Sequence, residues 1–480
     1  MRFFKILQIP LIAVGFLVPM LIPPLVLSLV SHDGMPKAYL IPLFIALLLN
    51  LPSLFLLKNQ TSPLRARDGF LLVTLTWFFL TAAGAMPYIF SPYGISIADS
   101  IFESACGFAT TGATTFTDIE ALPRSLLLWR SICHWAGGMG IIVLTVALLP
   151  LFGVGGFQLV KAETPGPDKE RITPKITSTA KILWLVYFVL TVVLFVLYVL
   201  GGMGIFDAVC HAFTTLATGG VSTKNSGIAF YNSAYLEVVT TIFMLLAAFN
   251  FNLYVRALRG KIIDIFNNTE ARVYFLIFIV SGAVITINLL PLSDTPWTAL
   301  RYAFFHTASI LSTTGSTLTN YEAWPPLSAA ILFMLMFVGG CSGSTACGIK
   351  VVRWTVLFKQ SVNEVRKAIY PRGVFSVQLN KKAGRKDVVY GVAGFIFLYF
   401  FIVAVTTLVT AASGFDLWTS FTAALSVTGN IGAGFGRVNQ AGNYGFFPDH
   451  IKLFFSFTMI AARLELWTVF VLFTKEYWRG

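Results

Sequence analysis

Long apolar runs restrict what this chain can fold into more than any single motif. Segments 9–31, 37–58, 69–91, 181–201, 272–292 and 388–412 are nearly free of charge, and about 20 such residues cross roughly 30 Å of hydrocarbon as a helix. Only 11% of the residues are charged and 56% are hydrophobic, against roughly 25% charged in a soluble domain. The fold class that follows is an all-α polytopic membrane protein. The apolar run from Ile9 to Val30 follows Arg2 and Lys5, but it is too long for a signal-peptide core, so a retained first helix is expected.

The net charge of +13 does not point to nucleic acid, because the basic residues fall in alternate connections. Arg65 and Arg67, Lys161 to Lys181, Arg256 to Lys261, and the segment from Arg353 to Lys386 form one set. Asp33, Asp118, Glu120, Glu322 and Asp449 lie in the other. Basic loops face the cytoplasm, which places both termini of this multi-pass chain there. The five cysteines form no CxxC and read as small buried hydrophobes.

After a leading helix pair in 1–60, the chain divides into four units, 61–160, 161–262, 263–360 and 361–480. Each unit has a spanning helix, a half-length apolar stretch, a Thr/Gly-rich loop and a second spanning helix. The second helices are expected near 125–152, 232–256, 327–355 and 449–474, with the basic linkers 161–181 and 356–387 between units. Laid over one another, the half-length stretches share a frame: Ser100 to Gly112, Asp207 to Gly219, Ala303 to Gly315 and Ser420 to Gly432. Gly429 competes for the fourth position but breaks the frame by three residues.

A stretch of 10–14 residues is too short to cross a bilayer, so each reads as a re-entrant helix. Irregular backbone at mid-depth persists only when buried in protein or facing a wet cavity. Four converging loops can line such a cavity with carbonyl oxygens that replace a cation's hydration shell. The partly negative C-terminal ends of the entering helices favour a cation there. The expected filter residues are Thr110, Thr111 and Gly112; Ala217, Thr218 and Gly219; Thr313, Thr314 and Gly315; and Asn430, Ile431 and Gly432. The bland alternative is four tight helix-packing spots.

The stretch after residue 327 carries Gly339, Gly340, Ser342, Gly343, Ser344, Thr345 and Gly348, enough small and helix-breaking residues to interrupt a helix. It reads either as a loop under the filter or as a kink for close packing. Arg463 lies near mid-span of the last unit, where an arginine costs at least about 2.5–3.5 kcal/mol and needs a partner or a wet cavity. Glu465 is two residues away, on a different helix face. Lys350 either joins Arg463 or snorkels to the surface. His134, His211 and His306 read as hydrogen-bonded packing residues. Glu103 and Asp207 read as acids that concentrate cations at the outer mouth or as solvated helix-start residues.

Three motifs resemble the TrkH/KtrB superfamily of potassium transporters, and its TrkH branch in particular. Gly339-Gly-Cys-Ser-Gly-Ser-Thr-Ala-Cys-Gly-Ile-Lys350 is similar to its GGCxGSTxxGxK signature. Trp129-Arg-Ser-Ile-Cys-His-Trp-Ala-Gly-Gly-Met-Gly140 is similar to WRSxxxWxGGMG. Asn430-Ile-Gly-Ala-Gly-Phe-Gly436 is similar to NxGPGxG, with Ala433 for proline, and Ala346-Cys347 replaces a small glycine pair. The resemblance implies potassium uptake, with a glycine in every filter loop marking potassium preference. It also implies a gate made of the loop residues named above, with Lys350 and with Arg463 in the Ala462-Arg-Leu-Glu465 stretch. A homodimer and a cytosolic nucleotide-binding regulatory subunit (TrkA-like, with RCK domains) are further implications, with no cofactor and potassium as the only metal. The rival readings are symport strictly coupled to protons or sodium, for which broken helices are also suited, and an enzyme, for which no HExxH or GxSxG is present.

Overall fold

The computed structural model describes residues 2–57, 66–143, 176–380, 382–383, 386–439 and 442–479. The expected ends of the first unit's second helix, 144–152, and most of the 161–181 linker lie outside these. The fold is built almost wholly of helices. Five of the described helices are long and apolar enough to cross a membrane, or seven if two sharply bent helix pairs are each taken as one span.

The leading pair comprises Arg2–Val14, Leu17–Ser31 and Pro36–Leu57. The first run is interrupted at Gly15, where the Ile12 carbonyl accepts from Gly15 N–H at 2.9 Å and from the Asn50 side-chain amide at 3.0 Å. Asp33 ties this pair to the first repeat by accepting from Ser125 at 2.5 Å.

Four repeats follow. Their first helices are Ala66–Ile89, Ile176–Leu200, Thr269–Leu289 and Lys386–Ala412. Their short helices are Ile97–Ala109, Ile205–Leu216, Pro296–Leu311 and Leu417–Gly429, each about 18–24 Å long at 1.5 Å per residue and so shorter than a bilayer core. Three start on side-chain caps, with Ser96, Thr295 and Asp416 accepting from the backbone three residues on. Such caps satisfy N–H groups the helix leaves open.

The second helices depart from expectation. Arg124–Val143 is continuous as far as it is described. The second repeat's bends by 93° between Ala234–Ala247 and Phe251–Leu258, and the fourth repeat's by 106° between Asp449–Arg463 and Trp467–Phe473. Asn250 caps the helix after the first bend, and Glu465 and Leu466 make the second with φ of 63° and 48°. Neither break is marked by glycine or proline. The third repeat breaks as expected, into Pro326–Leu335, an extended loop, and Val351–Ile369. That last helix and the two-residue strands Gln378–Leu379 and Lys382–Ala383 occupy much of the segment expected to be a linker.

Ion pairs staple neighbouring repeats. Lys452 in the fourth repeat meets Asp99 in the first at 2.7 Å, and Arg301 in the third meets Glu237 in the second at 3.1 Å. Lys452 and Glu237 are each the fourth residue of their helices, so one position is used twice with the charges exchanged.

Candidate functional site

Each short helix ends in the same cap. Thr110, Thr218, Thr313 and Asn430 adopt left-handed backbone, with φ from 50° to 56°. The next residue then donates back five positions: Thr111 to Cys106 at 3.0 Å, Gly219 to Thr214 at 2.8 Å, Thr314 to Ser309 at 2.9 Å and Ile431 to Ser426 at 3.0 Å. This is the Schellman bond that closes a helix C-terminus. One residue further, Gly112, Gly220, Gly315 and Gly432 have φ of 86°, 61°, 75° and 84°, where a side chain is strained.

These four glycines form a closed ring. A Cβ on Gly112 would lie 2.5 Å from the Gly219 carbonyl oxygen, and one on Gly220 2.0 Å from that of Thr314. A Cβ on Gly315 would lie 1.8 Å from the Ile431 oxygen, and one on Gly432 2.4 Å from that of Thr111. Each glycine thus packs against the carbonyl preceding the next repeat's glycine, and the fourth returns to the first. The ring corrects the sequence frame in the second repeat. Gly220 there, not Gly219, is the counterpart of Gly112, and Ala217 is the helix cap rather than part of the turn. Asp207 is the third residue of its helix whereas Ser100 and Ser420 are the fourth of theirs, so the frame stops one residue short in the second repeat.

The ring glycines Gly112, Gly220, Gly315 and Gly432 line a cavity of about 540 Å³. Its charged lining residues are Arg130 and Lys224, and no carboxylate is among the described lining. Glu103 and Asp207 therefore do not sit in the cavity wall as cation attractors. Glu103 is buried, accepts from Thr115 N–H at 2.7 Å and Thr114 Oγ1 at 2.7 Å, and pairs with Arg130 Nε at 3.1 Å. Asp207 accepts from Thr223 at 2.7 Å.

Seven residues before each left-handed cap, a polar side chain in three repeats clamps the chain returning from the ring. Glu103 does so in the first. His211 Nε2 meets Ser222 at 3.0 Å in the second, and His306 Nε2 accepts from Leu318 N–H at 3.3 Å in the third. The fourth repeat has Ala423 there, and neighbouring Thr422 donates to the Phe435 carbonyl at 2.7 Å. His211 and His306 are hydrogen-bonded packing residues, as expected. His134 is packed but its Nδ1 has no partner among the described residues.

Outer loops join the repeats around the cavity. Tyr444 N–H donates to Thr114 O at 2.7 Å, and the Asn225 amide donates to Asp118 at 2.9 Å. That hydrogen bond holds the Asp118 carboxyl below the usual carboxylate range.

On the other side of the ring, the loop between Leu335 and Val351 is almost entirely buried. Its polar backbone is bound by the second repeat, by the rest of the third and by Arg463 of the fourth, as buried backbone requires. Cys341 N–H donates to Ala248 O at 2.8 Å and Phe251 N–H to Gly343 O at 3.1 Å, so the loop fills the bend in the second repeat. Thr345 Oγ1 donates to Ala247 O at 2.9 Å, and Cys347 N–H to Thr313 Oγ1 at 2.9 Å. Glu270 accepts from Ser342 N–H at 2.7 Å and Val352 N–H at 3.3 Å, tying the middle of the loop to the start of the helix that follows it. Gly339 and Gly348 lie where this folded-back segment crosses itself, a Cβ on Gly339 falling 2.0 Å from the Cys347 oxygen.

Arg463 is buried against this loop. Its Nη1 donates to Thr345 O at 2.7 Å and to Cys347 Sγ at 2.8 Å, and its Nη2 to Gly137 O in the first repeat at 2.8 Å. Lys350 does not snorkel. It is buried and donates to the Ala346 carbonyl. Arg353, read as part of a basic surface segment, is also buried, paired with Glu465 and stacked on Phe395.

A sequence profile of TrkH, described as a cation transport protein, matches residues 37–479. The chain belongs to the TrkH family. It is 38% identical over 472 residues to a Trk system potassium uptake protein TrkH of Halomonas elongata, covering 96% of each chain. It is 36% identical to the TrkH of Escherichia coli K12, covering 98% of each. The crystal structure of the potassium transporter TrkH from Vibrio parahaemolyticus superposes on it with a TM-score of 0.90, at 33% identity and over the whole of both chains. TrkH relatives are thus named for transport rather than catalysis.

Proposed function

We propose that this chain takes up potassium across the bacterial cytoplasmic membrane through the glycine ring. The ring closure carries the reading: four loops from four repeats meet with their glycines against one another's carbonyls, and four short helices end beside them. Carbonyl oxygens and negative helix ends together suit a dehydrated cation, and potassium is the ion named for the relatives. The filter is Thr110 to Gly112, Thr218 to Gly220, Thr313 to Gly315 and Asn430 to Gly432.

Entry from the 540 Å³ cavity leads through the ring to the buried loop, which acts as the gate. Gly339 to Lys350 would have to leave their hydrogen-bond partners for an ion to pass. Arg463 adds a fixed positive charge at the same place, opposing cation entry until the loop moves. The basic helix end, with exposed Arg366, Lys367 and Arg372, supports a cytosolic orientation and a regulatory nucleotide-binding partner. The chain is proposed to work as a homodimer, an implication of its resemblance to the TrkH family.

Potassium flux into liposomes holding the purified protein tests the reading, with Gly112→Ser alongside wild type. Wild type is expected to pass potassium over sodium, and Gly112→Ser to lose that preference. Unchanged selectivity in the variant overturns the filter assignment. A fixed proton or sodium stoichiometry would instead establish coupled symport, a route that the two sharply bent helices also suit.

A further inference from the structure

At the position just before each ring glycine, three repeats carry a branched side chain: Thr111, Thr314 and Ile431. All three are fully buried. Thr111 Oγ1 donates to Asn430 Oδ1 at 2.7 Å, and Thr314 Oγ1 meets Ser312 Oγ at 2.6 Å. The second repeat has Gly219 at this position, whose φ is not in the left-handed region, so its backbone does not demand glycine.

The reason for the glycine lies on another repeat. A Cβ on Gly219 would fall 2.2 Å from His134 Nδ1, 2.9 Å from its Cγ and 3.1 Å from its Cε1. The imidazole of His134, on the helix Arg124–Val143 of the first repeat, occupies the volume that a side chain at residue 219 would fill. That helix has little room to shift. A Cβ on Gly137 would lie 2.2 Å from the Phe108 oxygen, and one on Gly138 2.8 Å from Ala217 Cα. The helix is therefore wedged between the ends of the first two short helices. His134 itself is 2% exposed.

We propose that His134 is the missing side wall of the second repeat's filter segment, a positioning residue that sets where the Gly219 carbonyl lies and so contributes to ion selectivity. The Gly219 oxygen is the one that packs against Gly112, 2.5 Å from where its Cβ would be. A shift of Gly219 therefore passes directly into the ring. In the other repeats, side chains on the filter strand fill this layer. Here a ring from a neighbouring spanning helix does so, which makes the first and second repeats interdependent at the filter. This inference rests on the proposal that the glycine ring selects potassium.

A complementation experiment tests it, reading potassium and sodium flux in liposomes with wild type, Gly219→Ala, His134→Ala and the double variant. Gly219→Ala alone is expected to lose potassium flux, because its methyl collides with the imidazole. His134→Ala is expected to keep flux with a lowered potassium-to-sodium ratio. The double variant is expected to recover flux that Gly219→Ala lost. Gly219→Ala being equally damaging with and without His134 overturns the proposal, as does an unchanged ion ratio in His134→Ala. If His134→Ala does not yield folded protein, His134→Ser carries the same comparison. Gly112→Ser in the same assay separates the two readings. If it leaves selectivity unchanged, the ring itself is misassigned; if it alters selectivity while the His134 pair shows no rescue, only His134's role falls.

Discussion

Arg463 and Thr345 join two repeats at one point: the guanidinium Nη1 donates to the Thr345 carbonyl at 2.7 Å, while Nη2 holds Gly137 O at 2.8 Å. The loop is thus bound to the first and fourth repeats through one side chain. A hydrogen bond to a charged group contributes about 1.5–3 kcal/mol, and each 1.4 kcal/mol is about tenfold in an equilibrium. Arg463→Ala is expected to raise potassium flux without any regulator by roughly tenfold or more. Arg463→Lys keeps a charge but not the planar fork that spans several acceptors, and should fall between the two. Flux at or below the wild-type level in Arg463→Ala would remove Arg463 from the gate.

Glu270 gives a second handle on the same loop, because it accepts from Ser342 N–H in the loop's middle and from Val352 N–H just past its end. Each buried N–H left without a partner costs roughly 1–3 kcal/mol. Glu270→Ala should lower the thermal unfolding temperature of the detergent-solubilised protein and raise basal flux together. Glu270→Gln retains one carbonyl acceptor and should lose much less. Equal loss in both variants would assign the effect to charge rather than to the hydrogen bonds.

The membrane class, the four repeats and three of the four ring glycines are legible from apolar run length and loop composition. The second repeat's glycine is not, because a frame begun at Asp207, the third residue of its helix, runs one residue short, whereas Ser100 and Ser420 are each the fourth residue of theirs. A signal was present nonetheless: Thr218-Gly-Gly220 matches Thr110-Thr-Gly112, Thr313-Thr-Gly315 and Asn430-Ile-Gly432 once the left-handed residue is the anchor. The bends near Asn250 and Glu465 had no such signal, since neither position carries glycine or proline and both breaks are held by contacts with the loop or with Arg353. The partners of Arg463 were equally hidden, because they are backbone carbonyls, which any residue supplies.

The Glu103–Arg130 pair is 2% exposed on both sides and supports the turn that leaves the ring. Removing one member of a buried pair costs about 3–5 kcal/mol, while replacing both with apolar residues is often close to neutral. Arg130→Met should therefore destabilise strongly, leaving Glu103 charged and unpaired. Glu103→Leu with Arg130→Met should recover much of the thermal stability. Selectivity should not recover with it, because Thr114 Oγ1 and Thr115 N–H still lack the carboxylate that positions them. Full recovery of selectivity in the double variant would show that the carboxylate does not shape the outer mouth of the filter.

The staples between repeats offer a test of the pseudo-symmetry itself. Glu237 and Lys452 hold equivalent helix positions, yet one pairs with Arg301 and the other with Asp99, so the position requires a pair rather than a particular sign. Both pairs are largely buried, with side-chain exposures of 14% and 7% for Arg301–Glu237 and 7% and 22% for Lys452–Asp99. Glu237→Arg places two cations together and should destabilise by at least the roughly 3–5 kcal/mol of a broken buried pair. Adding Arg301→Glu restores an opposite-charge pair in the polarity that Lys452 and Asp99 use, and should return most of the unfolding temperature. Arg and Lys differ in shape, so Glu237→Lys with Arg301→Asp is the closer copy of the natural swap. If neither double variant recovers, the polarity at each staple is fixed by its surroundings rather than by the pair alone.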